Sequence, residues 1–189
     1  MKIAVLAWGS LFWDRGSLAV AGDFEALGPR LAIEFCRISG DGRLTLAIDE
    51  SFGTYCATYS AVSSFDNLNA SIENLRTRER MPGPKGVGFV DLISDRQNGT
   101  ALERHPQAVR TINEWARLNR YDAAIWTAFA SNFSEPQKAN EPFSVNAAIR
   151  YLEMRDAKTL ARALAYIRNA PPEVQTPVRE AVNIRWPRD

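Results

Sequence analysis

Leu31-Ala32-Ile33-Glu34-Phe35 and Leu44-Thr45-Leu46-Ala47-Ile48 place apolar side chains at every second position, with Gly40-Asp41-Gly42 between them. Strict alternation is the mark of a strand with one face on a core, and the glycines supply the positive φ of a hairpin turn. Tyr55, Ala57 and Tyr59 continue the alternation after Gly53, so a meander of three strands is predicted. Outward from it, Ile3 to Ala7 is a short apolar run suited to a strand buried on both faces. Val87 to Ile93 reads as a further strand after the breaker-rich Pro82-Gly83-Pro84-Lys85-Gly86, and Asp122 to Phe129 as one more.

The remaining periodicity is helical. Leu68, Ile72 and Leu75 fall on one face of a helix over Asp66 to Arg80, and Pro106 opens a second that runs to Leu118. The last third carries one apolar face through Val145, Ala148, Ile149 and Leu152, and another through Leu160, Leu164 and Ile167. Asp156 marks a kink or a cap between them. Pro171-Pro172 stops that helix, and Thr176-Pro177 gives an N-cap followed by proline at the first helical position. Strands first and helices after imply an α+β fold: a small curled mixed β-sheet or barrel with one inserted helix, followed by a C-terminal helical segment. The expected organisation is a single domain over 1–189, with its sheet core in 1–95 and a mainly helical extension in 105–189 packed on it.

Composition narrows the chemistry. The 189 residues carry 23 Lys and Arg against 22 Asp and Glu, and nucleic-acid binding needs a basic field that this balance does not provide. His105 is the sole histidine, so a Ser-His-Asp triad or a zinc cluster would have to be built around it. Its place in His105-Pro106-Gln107 reads as solvated or capping. Cys36 and Cys56 lie in separate predicted strands without CxxC spacing, which predicts two buried free thiols and a cytoplasmic setting. Met1-Lys2 followed by Ile3 to Trp13, with Ala19-Val20-Ala21 beyond, imitates a secretory leader. Gly9-Ser10 and Asp14-Arg15 interrupt that pattern, and a buried first strand accounts for the same letters. No stretch has the length of a membrane helix. The sequence has no repeat and no signal for self-association, so oligomeric state is left open.

Two features carry possible chemistry. Four residues after Leu75, the inward face of its helix meets Glu79, and a carboxylate on an apolar face must be paired, protonated or used. Pairing with Arg76 or Arg80 as the chain emerges is one reading; a proton carrier is the other. The second feature is the turn Trp8-Gly9-Ser10-Leu11, where glycine permits close backbone approach and successive N–H groups form an anion-holding nest. It has neither the GxGxxG nor the GxxxxGK[ST] pattern of a nucleotide loop. Ser10 as a nucleophile would have only Glu79 for a base. Trp8 and Trp13 suit ligand stacking or a core, and Arg179 and Arg185 suit a substrate carboxylate or a solvated face.

Ala7-Trp8-Gly9-Ser10-Leu11-Phe12-Trp13, then Pro29-Arg30-Leu31, then Leu75-Arg76-Thr77-Arg78-Glu79 resemble the γ-glutamylcyclotransferase superfamily, in order and spacing, over roughly residues 1 to 95. The resemblance implies a cofactor-independent enzyme with no metal, acting on a small γ-glutamyl amide or dipeptide and closing it to 5-oxoproline. It further implies Glu79 as the catalytic acid/base, and Trp8, Gly9, Ser10 and Leu11 as the substrate-binding turn. The chain departs from the family at Trp8, where the family has tyrosine, and from Phe143 onward, where nothing aligns. A non-catalytic ligand-binding or interaction module on the same fold is the rival expectation.

Overall fold

A computed structural model describes residues 1–188. Its strands are β1 (Ile3–Ala7), β2 (Val20–Glu25), β3 (Leu31–Ile38), β4 (Leu44–Ile48), β5 (Thr54–Cys56), β6 (Tyr59–Ser63), β7 (Val87–Asp91), β8 (Arg96–Gln97) and β9 (Ala123–Thr127). Its helices are α1 (Leu68–Arg78), α2 (Gly99–Arg104), α3 (Pro106–Leu118), α4 (Val145–Glu153), α5 (Ala157–Asn169) and α6 (Pro177–Arg185). The fold is α+β with a C-terminal helical segment. Six strands form a mixed sheet in the order β2-β6-β1-β9-β7-β8, and three form a second in the order β4-β3-β5. The larger sheet ends at β2 and β8 and does not close, which corrects the barrel alternative. Only β1 and β9 run parallel within it.

The chain divides into two compact units. Met1–Leu31 with Ala57–Phe129 forms one; Ala32–Cys56 with the chain from Ala130 onward forms the other. This division does not follow the sequence boundary near residues 95 to 105: α2, α3 and β9 belong to the first unit, and β4 and β5 to the second.

In the first unit every residue of β1 is buried, as its all-apolar run demands. Ile3, Val5 and Ala7 join Phe24, Tyr59, Val87 and Ile125 in one core, closed by Leu68 and Leu75 of α1. Each fully buried aliphatic side chain there stabilises by about 1.5–3 kcal/mol. α3 runs from Pro106 to Leu118, the bounds its pattern predicts. β7 stops at Asp91, short of Ile93, because the Asp91 carboxylate accepts the N–H groups of Ile93 and Ser94 and turns the chain.

The hairpin β3–β4 forms as predicted, with Gly42 at φ +81°. The three-strand meander does not. β3 lies between β4 and β5, and the Tyr55–Tyr59 run splits at Ala57-Thr58 into β5 and β6, which belong to different sheets. At the split, Thr58 Oγ1 donates to Pro29 O at 2.6 Å and Gly28 N–H donates to Thr58 O at 3.0 Å. A Cβ on Gly28 would lie 2.3 Å from Thr58 Oγ1, so the crossing requires glycine. In the second unit, Asp156 caps α5 through the N–H of Thr159, and Thr176 caps α6 with Pro177 at its first position.

Candidate functional site at the end of the first helix

α1 buries Leu68, Ser71 and Leu75, while Ile72 is only half-buried beside them. The helix closes in a Schellman arrangement. Arg80 N–H donates to Thr77 O and Met81 N–H to Arg76 O, both at 3.0 Å, with Arg80 at φ +53° where glycine is usual. Glu79 is therefore the C-cap, one turn beyond Leu75, and its side chain is 18% exposed. An anion there faces the negative end of the helix dipole, so the position is one that helix stability alone disfavours.

What holds the carboxylate is Arg78. Its Nη1 donates to Glu79 Oε1 at 2.5 Å, its Nη2 to Asp14 O and its Nε to Arg15 O at 3.3 Å. The pairing with Arg76 or Arg80 is corrected: Arg76 is occupied by Glu73 at 2.5 Å and by Met81 O at 2.5 Å, and the left-handed backbone at Arg80 carries its side chain out of the helix's own rows. Arg78 was not singled out from the sequence, because adjacent helical residues do not face one another. The signal that could have found it is the helix end itself, where two long side chains converge on a passing loop.

That loop is the continuation of Trp8-Gly9-Ser10-Leu11. Phe12 N–H donates to Gly9 O at 2.9 Å and Asp14 N–H to Ser10 O at 2.7 Å. The turn's own bonds thus use donors after Leu11 and leave the N–H groups of Gly9, Ser10 and Leu11 outside them. Trp8 and Leu11 are buried, Leu11 in the core, while Gly9 and Ser10 are half-buried. Glu79 and the turn are thus tied to one another through Arg78 and Asp14. Among the described residues the Glu79 carboxylate bonds to Arg78 and not to Ser10, which gives no support to Ser10 as a nucleophile.

His105 and Arg179 depart from their expectations, while the exposed Arg185 and the two buried free thiols agree with theirs. His105 is 3% exposed, not solvated, but it does cap: it is the C-cap of α2, donating its backbone N–H to Ala101 O at 2.8 Å, and the N-cap of α3, there without a side-chain bond. Arg179 is buried and donates to the carbonyls of Pro171, Val174, Ala170 and Arg168, so it ties the chain before α6 rather than meeting solvent. Arg185 pairs with Glu153 at 2.7 Å. Cys36 and Cys56 are buried and unbridged, and burial pushes the Cys36 thiol well above its ordinary range. Among the described residues no group of three or more His, Cys, Asp or Glu is placed to hold a metal ion, and no helix is long and apolar enough to cross a membrane.

One carboxylate escaped the sequence reading. Glu34 occupies the polar phase of the β3 alternation, yet it is 1% exposed. Its oxygens accept from Thr176 Oγ1 at 2.5 Å, Phe35 N–H at 2.6 Å and Val178 N–H at 3.3 Å. Burial raises its pKa although these bonds oppose the shift. Comparisons with family models, with curated proteins and with solved structures each found no match to this chain.

Proposed function

We propose that this chain is a γ-glutamylcyclotransferase-like enzyme that needs no cofactor and works in the cytoplasm. It converts a γ-glutamyl amide or dipeptide to 5-oxoproline and releases an amine or amino acid. The observation that carries this reading is the Arg78 guanidinium, which holds the Glu79 carboxylate and the loop leading from the Gly9-Ser10 turn at once.

Glu79 removes a proton from the substrate's α-ammonium. The freed amine attacks the γ-carbonyl carbon of the same molecule, forming the ring C–N bond while the carbonyl oxygen takes up negative charge. Because nucleophile and electrophile share one molecule, the protein's work is to hold the folded-back geometry. The N–H groups of Gly9, Ser10 and Leu11 stabilise the oxyanion. As the oxyanion collapses, the amide C–N bond breaks and Glu79 returns its proton to the departing nitrogen, while the extra proton left on the ring nitrogen passes to the released amine, which departs as an ammonium. Arg78 is a positioning residue that keeps the carboxylate directed at the turn. Trp8, buried beneath the turn, supports its backbone and offers no phenolic hydroxyl.

Purified protein given a panel of γ-glutamyl compounds releases 5-oxoproline, at a rate that EDTA leaves unchanged. Free glutamate as the product would identify a hydrolase and remove the proposal.

A further inference from the structure

We infer that Asn74 is a positioning residue: with Arg78 it clamps the connection from β1 to β2 onto α1, and so fixes the Gly9-Ser10 turn relative to Glu79. Its effect on turnover rests on the ring-closure reading, while the clamp rests on geometry alone.

Asn74 precedes Arg78 by one helical turn, so the two side chains share a row of α1. Its Oδ1 accepts Ala19 N–H at 2.8 Å, and its Nδ2 donates to Ser17 O at 3.0 Å. A carboxamide offers acceptor and donor side by side, and can therefore pair with a stretch of backbone as a neighbouring strand would. The stretch it meets needs such a partner. β2 begins only at Val20, so Ser17 N–H to Ala19 O lies outside the sheet's ladder, and backbone groups left unpaired are costly.

From this clamp the bonds run back to the turn. Leu18 is anchored in the core, and its N–H donates to Arg15 O at 3.0 Å. The same carbonyl takes Arg78 Nε at 3.3 Å, and Asp14 O takes Arg78 Nη2. Asp14 N–H in turn donates to Ser10 O at 2.7 Å. Gly16 bends the chain at φ +53°, and a Cβ there would stand 3.9 Å from Arg78 Cγ and Nε, so the connection lies directly against that side chain. Arg78 thus holds the middle of the connection and Asn74 its far end, and Glu79 stands on the same helix. Loss of Asn74 frees the far end, and the carbonyls that Arg78 holds are then fixed from one side only. A misplacement of about 1 Å at a reacting centre can lower a rate on the order of 10²-fold. Donors that act on the oxyanion alone affect kcat rather than KM.

The test is Asn74→Leu, which keeps the size of the side chain and loses both bonds. Ser17→Ala is its control, because the clamp uses the Ser17 carbonyl and not the hydroxyl. In the full chain, Asn74→Leu should quicken amide hydrogen exchange about tenfold at Phe12 and Asp14, which Asn74 does not bond, while the β9 amides hold their rates. With a γ-glutamyl substrate, kcat should fall about tenfold to hundredfold and KM should change by less than about threefold. Ser17→Ala should match the unaltered chain in both measurements. The inference is overturned if Phe12 and Asp14 exchange as before, if β9 quickens equally, or if the folded variant keeps its kcat. An unaltered chain that releases no 5-oxoproline would instead remove the ring-closure reading, and the exchange rates would then decide the clamp by themselves.

Discussion

Glu34 in β3 and Glu79 at the end of α1 are both withdrawn from solvent, and they are held in opposite ways. Glu34 lies in a strand buried along nearly its whole length and, among the described residues, forms no ion pair. It accepts from one hydroxyl and two backbone N–H groups, which fix it to the first turn of α6. Glu79 lies at a helix end, 18% exposed, on a guanidinium that also grips a loop. Burial with a raised pKa is often taken to mark a working group, and by that measure Glu34 would be chosen. Its three donors are immobile parts of β3 and α6, so it acts as a peg between them. A group that must take and return a proton needs access, and of the two Glu79 keeps more of it, with 18% of its side chain exposed against 1% for Glu34.

The largest effect that would break this contrast is on turnover. Glu79→Gln keeps shape and hydrogen bonding but cannot carry the proton, and should lower kcat/KM for ring closure by about 10² to 10⁴. Glu34→Gln should leave turnover of the folded protein intact. A loss at Glu34 equal to that at Glu79 would show that the contrast is misdrawn.

Stability should reverse the ranking. Glu34→Ala strips an acceptor from three buried donors, and each unsatisfied group costs about 1–3 kcal/mol. Glu79→Gln leaves Arg78 on the carbonyls of Asp14 and Arg15, so its guanidinium is not abandoned. With the two side chains 11% and 18% exposed, the cost there should fall between that of a surface pair, up to about 1 kcal/mol, and that of a buried pair that loses one partner, about 3–5 kcal/mol. Denaturant unfolding of both variants measures the two. A Glu79→Gln protein that melts early while its folded fraction turns over normally would identify Glu79 as a strut.

The smallest effect is a trend with pH. Because the Glu34 pKa is raised in the folded chain, the folded state holds that proton more tightly than the unfolded one. The stability this confers is complete below the ordinary value of 4.5 and is lost as pH rises through the folded value. The Tm of the unaltered chain minus that of Glu34→Gln should therefore fall from pH 4.5 towards neutrality. Asp91 runs the other way. Burial alone would raise its pKa, but bonds from the Ser94 side chain and N–H, from Arg96 and from Ile93 outweigh it and lower the pKa. Its contribution is lost as pH falls. A Tm difference at Glu34 that grows with pH would contradict the assigned direction.

What the sequence disclosed follows from where short-range rules suffice. The Gly40-Asp41-Gly42 turn, the bounds of α3, and the Thr176-Pro177 start of α6 depend on a few neighbouring residues, and all are found. β2 depends on its neighbour β6: only Phe24 among its residues is buried, and its register shifts between Ala21 and Glu25, so no alternation announces it. Sheet order was hidden for the same reason, since the Tyr55–Tyr59 alternation continues across a break that Thr58 and Gly28 set by contact. Glu34 drew no notice because alternation reports one face of a strand, not what covers the other. Glu79 was legible as a carboxylate on an apolar stripe, and Arg78 was not, because their meeting belongs to the helix terminus and the loop beside it.

The most direct test of ring closure is turnover of a γ-glutamyl compound in ¹⁸O-labelled water, with the unaltered chain and Glu79→Gln side by side. The account predicts 5-oxoproline free of ¹⁸O, because the substrate's own amine attacks the carbonyl, formed about 10² to 10⁴ times faster by the unaltered chain. Glutamate carrying ¹⁸O, or equal rates from the two proteins, would contradict it.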